Sequence, residues 1–219
     1  MRFLAFALFV VGGCVYQSNG QSHVLTFSQP GPLALGDAFT VMVGSPSGFA
    51  TEPLCNGAST GTLASNTPAV VTVSGVTVLG CTSATMNAVG VGHGQLAATL
   101  GGASDTLDLW VESPDHVVIL SPAIGAPLHA TVHVLAGTSV TLGLDVRDAA
   151  EDSLAYSSVP TLAIDSTIAV ATFVPATSAT FFAFPTPAHI TLTGNRAGTT
   201  MLSANVFGLS DTITVAVDP

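Results

Sequence analysis

Apolar and polar residues alternate with a period of two along most of this chain. Val140, Leu142, Leu144 and Val146 alternate with Thr141, Gly143 and Asp145, and Ile213, Val215 and Val217 alternate with Thr212, Thr214 and Ala216. Successive side chains of an extended strand point to opposite faces, so each run predicts a strand with one buried side. The runs are rich in Val, Thr and Ile and are bounded by clusters of Gly, Pro, Asn and Ser, the residues of turns. No stretch carries apolar residues convincingly at helical spacing. An all-β chain follows, and short strands at regular spacing favour sandwiches over one barrel.

The pattern also repeats. Ser22 to Ser28 matches Asp115 to Ser121, Leu35 to Val41 matches Ala136 to Leu142, Asn66 to Val73 matches Ser166 to Phe173, and Ser104 to Leu109 matches Ser210 to Val215. Blocks that recur in order about a hundred residues apart predict two copies of one structural unit. The expected organisation is therefore two tandem sandwiches, at 22–113 and 114–219, meeting near Ser113-Pro114.

In the second copy, Asp165-Ser166-Thr167-Ile168-Ala169-Val170-Ala171 opens a strand, Ile190-Thr191-Leu192-Thr193-Gly194 forms another, Ala197 to Ala204 reads as a glycine turn and strand, and Thr212 to Val217 closes the unit. These blocks resemble bacterial immunoglobulin-like domains of the group 2 type. The first copy is a weaker match, with Cys55 and Cys81 inserted. Ile164 stands where the family often places tryptophan, and the second copy inserts 175–187. The resemblance implies two tandem immunoglobulin-like β-sandwiches with a surface or envelope role as spacer, adhesin segment or interaction module. It implies no catalysis, because this fold hosts many unrelated tasks.

At the N-terminus Arg2 precedes an apolar run from Phe3 to Val11, then Gly12, Gly13 and Cys14. Charged, apolar and small residues in that order make a secretory signal, and the run is too short to span a bilayer as a helix. Val11-Gly12-Gly13-Cys14 resembles the bacterial lipobox, which implies a signal peptide over 1–13 and a mature chain beginning at lipid-modified Cys14. An ordinary signal peptide cut near Gly20 is the alternative. Several acyl chains hold a soluble domain on a membrane durably. The 14–21 tether is short, Val15 to Gln21 spanning at most about 25 Å when extended, so the first sandwich is expected near the membrane with the second presented outward. Val15 lacks the aspartate that some bacteria use for inner-membrane retention, which points to the outer membrane.

Three cysteines are an odd count. With Cys14 lipidated, Cys55 and Cys81 are left as one disulfide in an oxidising compartment; two buried thiols are the other reading. Charge narrows the partners. Charged residues make up 7% of the 219, there is no lysine, and the net charge is −10. Once Arg2 is removed, Arg147 and Arg196 face all thirteen carboxylates. Nucleic acid and anionic lipid heads need a basic surface, so both are excluded as partners.

Candidate chemistry is sparse. Gly57-Ala58-Ser59-Thr60-Gly61 has the spacing of a nucleophile elbow without the strand before and helix after that the elbow needs. His129 and His133 share a strand face but lack a third metal ligand. Asp145, Asp148, Glu151 and Asp152 form an acidic turn that offers oxygen ligands to calcium or is simply solvated. No cofactor is expected. Trp110 is out of phase with Leu107, Leu109 and Val111 and should face outward, against the neighbouring domain or a partner. In Phe181-Phe182-Ala183-Phe184, Phe182 and Phe184 share a face toward the core, leaving Phe181 as a second contact candidate. The function expected is a non-catalytic binding or adhesion module for a protein or glycan; the alternative is an accessory subunit docking by its strand edges into a larger envelope assembly.

Overall fold

The computed structural model describes residues 15–19, 24–45, 55, 57, 60–121, 127, 131–175 and 188–219. These form an all-β molecule of immunoglobulin-like sandwiches. The strands of the first half are β1 (Val15–Asn19), β2 (Thr26–Pro30), β3 (Leu33–Ala34), β4 (Ala38–Gly44), β5 (Gly61–Ser65), β6 (Val71–Val78), β7 (Thr82–Ala88), β8 (Gly92–Leu100) and β9 (Ala103–Glu112). Those of the second half are β10 (His116–Leu120), β11 (Val132–Leu135), β12 (Ser139–Arg147), β13 (Ser153–Leu154), β14 (Thr161–Ala163), β15 (Ala169–Val174), β16 (His189–Gly194), β17 (Gly198–Val206) and β18 (Leu209–Asp218).

One sheet of the first sandwich runs β1-β2-β4-β7-β6 and the other β3-β9-β8-β5; the second sandwich repeats this as β10-β12-β16-β15 and β11-β18-β17-β14. In each half a short strand, β3 or β11, crosses to the second sheet and pairs in parallel with the last strand. Alternation packs each core: Val41, Met86, Leu96 and Leu109 fill the first, and Leu142, Ile190, Leu202 and Val215 the second. Leu144, Val146, Ile213 and Val217 are buried as their alternation predicts.

Register corrects two of the sequence matches. Phe27 lies opposite Val43 as Ile119 lies opposite Leu144, so the first block slips by one residue from the match that set Phe27 against Leu120. Val71 lies opposite Ala88 as Ala169 lies opposite Gly194, a slip of two. The last two strands keep the sequence match throughout, with Leu96 opposite Leu107 and Leu202 opposite Ile213. Their hairpins turn on Gly101-Gly102 and Phe207-Gly208, all at positive φ. Two-residue turns of that kind follow the strand twist and fix the register. Val15 to Asn19, read from sequence as tether, instead forms β1, paired antiparallel to β2 from Val15 opposite Pro30 to Asn19 opposite Thr26.

An aspartate joins the layers in both copies. Asp105 on β9 accepts the Val24 and Leu25 N–H groups just ahead of β2, at 2.9 and 3.1 Å, and the Thr106 N–H at 2.9 Å. Asp211 on β18 accepts Ile119 N–H of β10 and Thr212 N–H, both at 2.7 Å. The recurring Ser-Asp-Thr is thus a pin between two sheets.

Cys55 and Cys81 are bonded, closing a loop of sequence separation 26. Next to the bridge, fully buried Thr82 has a hydroxyl with no hydrogen-bond partner among the described residues. An unmade buried hydrogen bond costs free energy that a methyl group of the same shape avoids. Thr82→Val is therefore expected to stabilise the protein by about 1 kcal/mol, read as a higher urea midpoint at unchanged slope; a lower midpoint would show the hydroxyl to be satisfied.

After β13 the chain of the second half reaches the first. The Ala34 N–H donates to the Ala155 carbonyl at 3.0 Å and the Ala155 N–H to the Pro32 carbonyl at 2.7 Å. Ala155 packs within the first core, and the next residue, Tyr156, against the second.

Candidate functional site

Among the described residues, the face with most recognition chemistry is the outer surface of β5, β8 and β9. Leu96, Ala98, Leu107 and Leu109 point into the core, so the residues between them face solvent. Trp110 is among these, 55% exposed, and His93 stands directly opposite it. Their rings are 5.0 Å apart at 56°. His93 Nε2 lies 3.3 Å from Asp108 Oδ1, which also accepts Gln95 Nε2 at 3.0 Å. Asn66 Nδ2 donates to Gln95 Oε1 at 2.7 Å. A row of planar polar groups thus runs from β9 across β8 to Asn66, the residue after β5, beside an aromatic ring. Beyond it, on the side away from Trp110, Ala64 stands opposite Ala97 and Thr62 opposite Thr99, so small side chains flank the row there. Such a face can stack on a flat apolar surface through Trp110 and exchange hydrogen bonds through the indole N–H, the amides and the carboxylate.

Trp110 was the part of this face legible in the sequence as a candidate; His93, Gln95, Asp108 and Asn66 were not singled out. A signal for them existed, since a two-residue turn at Gly101-Gly102 sets His93 against Trp110 and Gln95 against Asp108. Of the two sequence readings for Trp110, packing against the second sandwich does not describe this ring, which remains largely open to solvent beside His93 of its own sheet.

The other candidates are placed as follows. Arg147 donates to Asp145 at 2.9 Å and to Glu151 at 3.2 Å, while the Ser153 hydroxyl donates to Asp145 at 2.7 Å. Asp148 Oδ1 accepts the Ala150 and Asp152 N–H groups. The acidic turn is therefore a hydrogen-bonded turn around an arginine, and among the described residues no group of three or more His, Cys, Asp or Glu is placed to hold a metal ion. Burial opposes the Arg147 charge, but the bonds to Asp145 and Glu151 outweigh it and hold the guanidinium above its ordinary range. Burial, with Asp145 nearby, raises the Tyr156 phenol so that it stays protonated and donates to the Leu144 carbonyl at 3.1 Å. Bonds from Thr167 lower the Asp165 carboxyl, fixing the turn before β15. His133 pairs with Asp218 at 3.0 Å. Gly61 begins a strand where an elbow needs a helix. Cys14, Ser59, His129, Phe181, Phe182 and Phe184 lie outside the described residues.

No protein family model matches the chain, and no curated protein does. Among solved structures it is similar to the surface layer protein SbsC, domains 1–6, at 13% identity and TM-score 0.40, over 89% of this chain and 25% of that one. It is similar also to the Escherichia coli adhesin FdeC at 17% identity and TM-score 0.34, over 95% and 67%. The Yersinia pseudotuberculosis adhesin InvE gives 16% and 0.33, over 94% of this chain and 61% of that one.

Proposed function

We propose that this protein is an exported lipoprotein of the bacterial outer membrane, anchored through Cys14, whose two sandwiches of the group 2 immunoglobulin-like type act as a non-catalytic binding or adhesion module. The sandwiches expected at 22–113 and 114–219 lie behind the signal peptide, the first of them joined by β1 (Val15–Asn19). The exposed Trp110 with its polar row carries the binding reading. An isolated surface tryptophan is ordinary; one set among planar hydrogen-bonding groups on a flat, small-residue face presents both contacts a sugar ring uses, stacking and paired hydrogen bonds. A chain of net charge −10 repels anionic glycans, so within the protein-or-glycan class the face favours an uncharged glycan. The anchor reading rests on the lipobox and on Cys55 and Cys81 bonding to each other, which leaves Cys14 as the odd thiol.

One preparation tests both parts. Protein extracted from membranes of a producing bacterium is expected to give an N-terminal peptide with the mass of lipidated Cys14. Trp110 is the sole tryptophan, so its emission reports its face directly. Titration with cellohexaose, mannohexaose and chitohexaose should shift and saturate that emission with one of them, and Trp110→Ala should abolish binding by calorimetry at unchanged Tm. An N-terminus beyond Cys14 would remove the anchor. Flat emission with all three sugars would remove the glycan reading.

A further inference from the structure

Asp37 sits in the turn between β3 and β4, 5% exposed. Its backbone does what the turn requires: its N–H donates to the Ala34 carbonyl and its own carbonyl accepts the Ala88 N–H. The second copy makes the same two bonds at Thr138, to Leu135 and from Gly194. There the side chain is spent within the turn, Thr138 Oγ1 donating to the Leu135 carbonyl at 2.8 Å. The fold therefore needs no carboxylate at this position.

The Asp37 carboxylate makes one local bond, Oδ1 accepting the Ala38 N–H at 2.9 Å, and otherwise takes the second half of the chain. Oδ2 accepts the Ser157 and Ser158 N–H groups, and Oδ1 accepts the Ser158 hydroxyl at 2.9 Å. The Ser157 hydroxyl lies between Oδ1 and the Ala38 carbonyl. Just before these serines, Ala155 bridges in parallel to Leu33, which adds a stretch of the second half to the edge strand β3. Hydrogen bonds to a carboxylate are about twice as strong as neutral ones, and here they converge on a buried one.

We propose that Asp37 and the segment Ala155 to Ser158 form a lock that makes the two sandwiches one rigid body. Without such a joint, relative motion of linked domains is the ordinary condition. The lock also covers the edge of β3, an otherwise open template for pairing with another chain. Comparison of the copies separates the lock from the turn that carries it: threonine is the residue the equivalent turn already uses.

The test is Asp37→Thr in the full chain, with Ser157→Ala/Ser158→Ala as a second variant that leaves the Asp37 turn intact. Wild type is expected to melt in one calorimetric transition and to tumble as a single body by NMR relaxation. Asp37→Thr should split the transition in two and shorten the rotational correlation time by about a third to a half, with X-ray scattering showing a larger radius of gyration. The double serine variant should move all three readouts the same way by less, because the two backbone N–H donors remain. Independent tumbling of the wild-type halves would overturn the lock. So would an Asp37→Thr protein indistinguishable from wild type; should that variant fail to fold, the serine variant decides by the same criteria.

Discussion

Asp105→Ala is expected to destabilise the protein by about 3 kcal/mol, and Asp211→Ala by about 1 kcal/mol. Both carboxylates tie the last strand of one sheet to the other sheet, at the entry to β2 in the first half and at β10 in the second, but they are loaded differently. Asp105 is 5% exposed and holds two N–H groups across the layers, at Val24 and Leu25. Asp211 is half-buried and holds one, at Ile119. A donor left unpaired in a buried setting loses more than its hydrogen bond, since it keeps the cost of leaving water. Leu25 is itself buried, so its N–H has little access to replacement solvent once the carboxylate is gone. Urea unfolding of both variants measures the difference, and equal losses would show that exposure at these sites does not set the cost.

The second large effect concerns the disulfide. Cys55→Ser/Cys81→Ser should cost about 3 kcal/mol, the chain-entropy value for opening a loop of this length. The sequence separation is 26, and Cys81 is buried. No bridge exists in the second copy to compensate, because Cys14 is the only other cysteine in the chain. Reductant added to wild type should reproduce the variant's urea midpoint, and hydrogen exchange should place the weakened amides in the first sandwich. An unchanged midpoint in both experiments would mean that contacts other than the bridge hold this loop.

Alternation made the strands legible because burial on one face demands it, as Leu142, Leu144 and Val146 show. Copy number was legible for the same reason. Residue matching failed where geometry is set by backbone bonds. Thr67, Ala69 and Val70 match Thr167, Ala169 and Val170 in the sequence, yet the Thr67 carbonyl accepts the Val70 and Val71 N–H groups as Asp165 accepts those of Ile168 and Ala169. Turn hydrogen bonds thus set Thr67 equivalent to Asp165, against the matching letters. In the candidate face, Trp110 was legible from its phase alone. The polar row beside it depends on which strands are neighbours, and alternation within one strand carries no such information. The contacts of Asp37 were less legible still, since Ser157 and Ser158 are 120 and 121 positions away in the chain.

Strand β1 changes how an anchored molecule would be moored. Val15 lies opposite Pro30, and β2 runs antiparallel to β4, whose first residue, Ala38, follows the Asp37 that holds the second sandwich. The chain therefore enters the fold at the waist, where the two halves meet. With lipid on Cys14, one residue and about 3.8 Å from Val15, the molecule would be moored near the junction of its halves, so the second sandwich would begin as close to the anchor as the first instead of being carried at its far end. The Trp110 face belongs to the sheet that does not hold the mooring strand, so the proposed binding surface and the anchor would sit on different layers of the first sandwich.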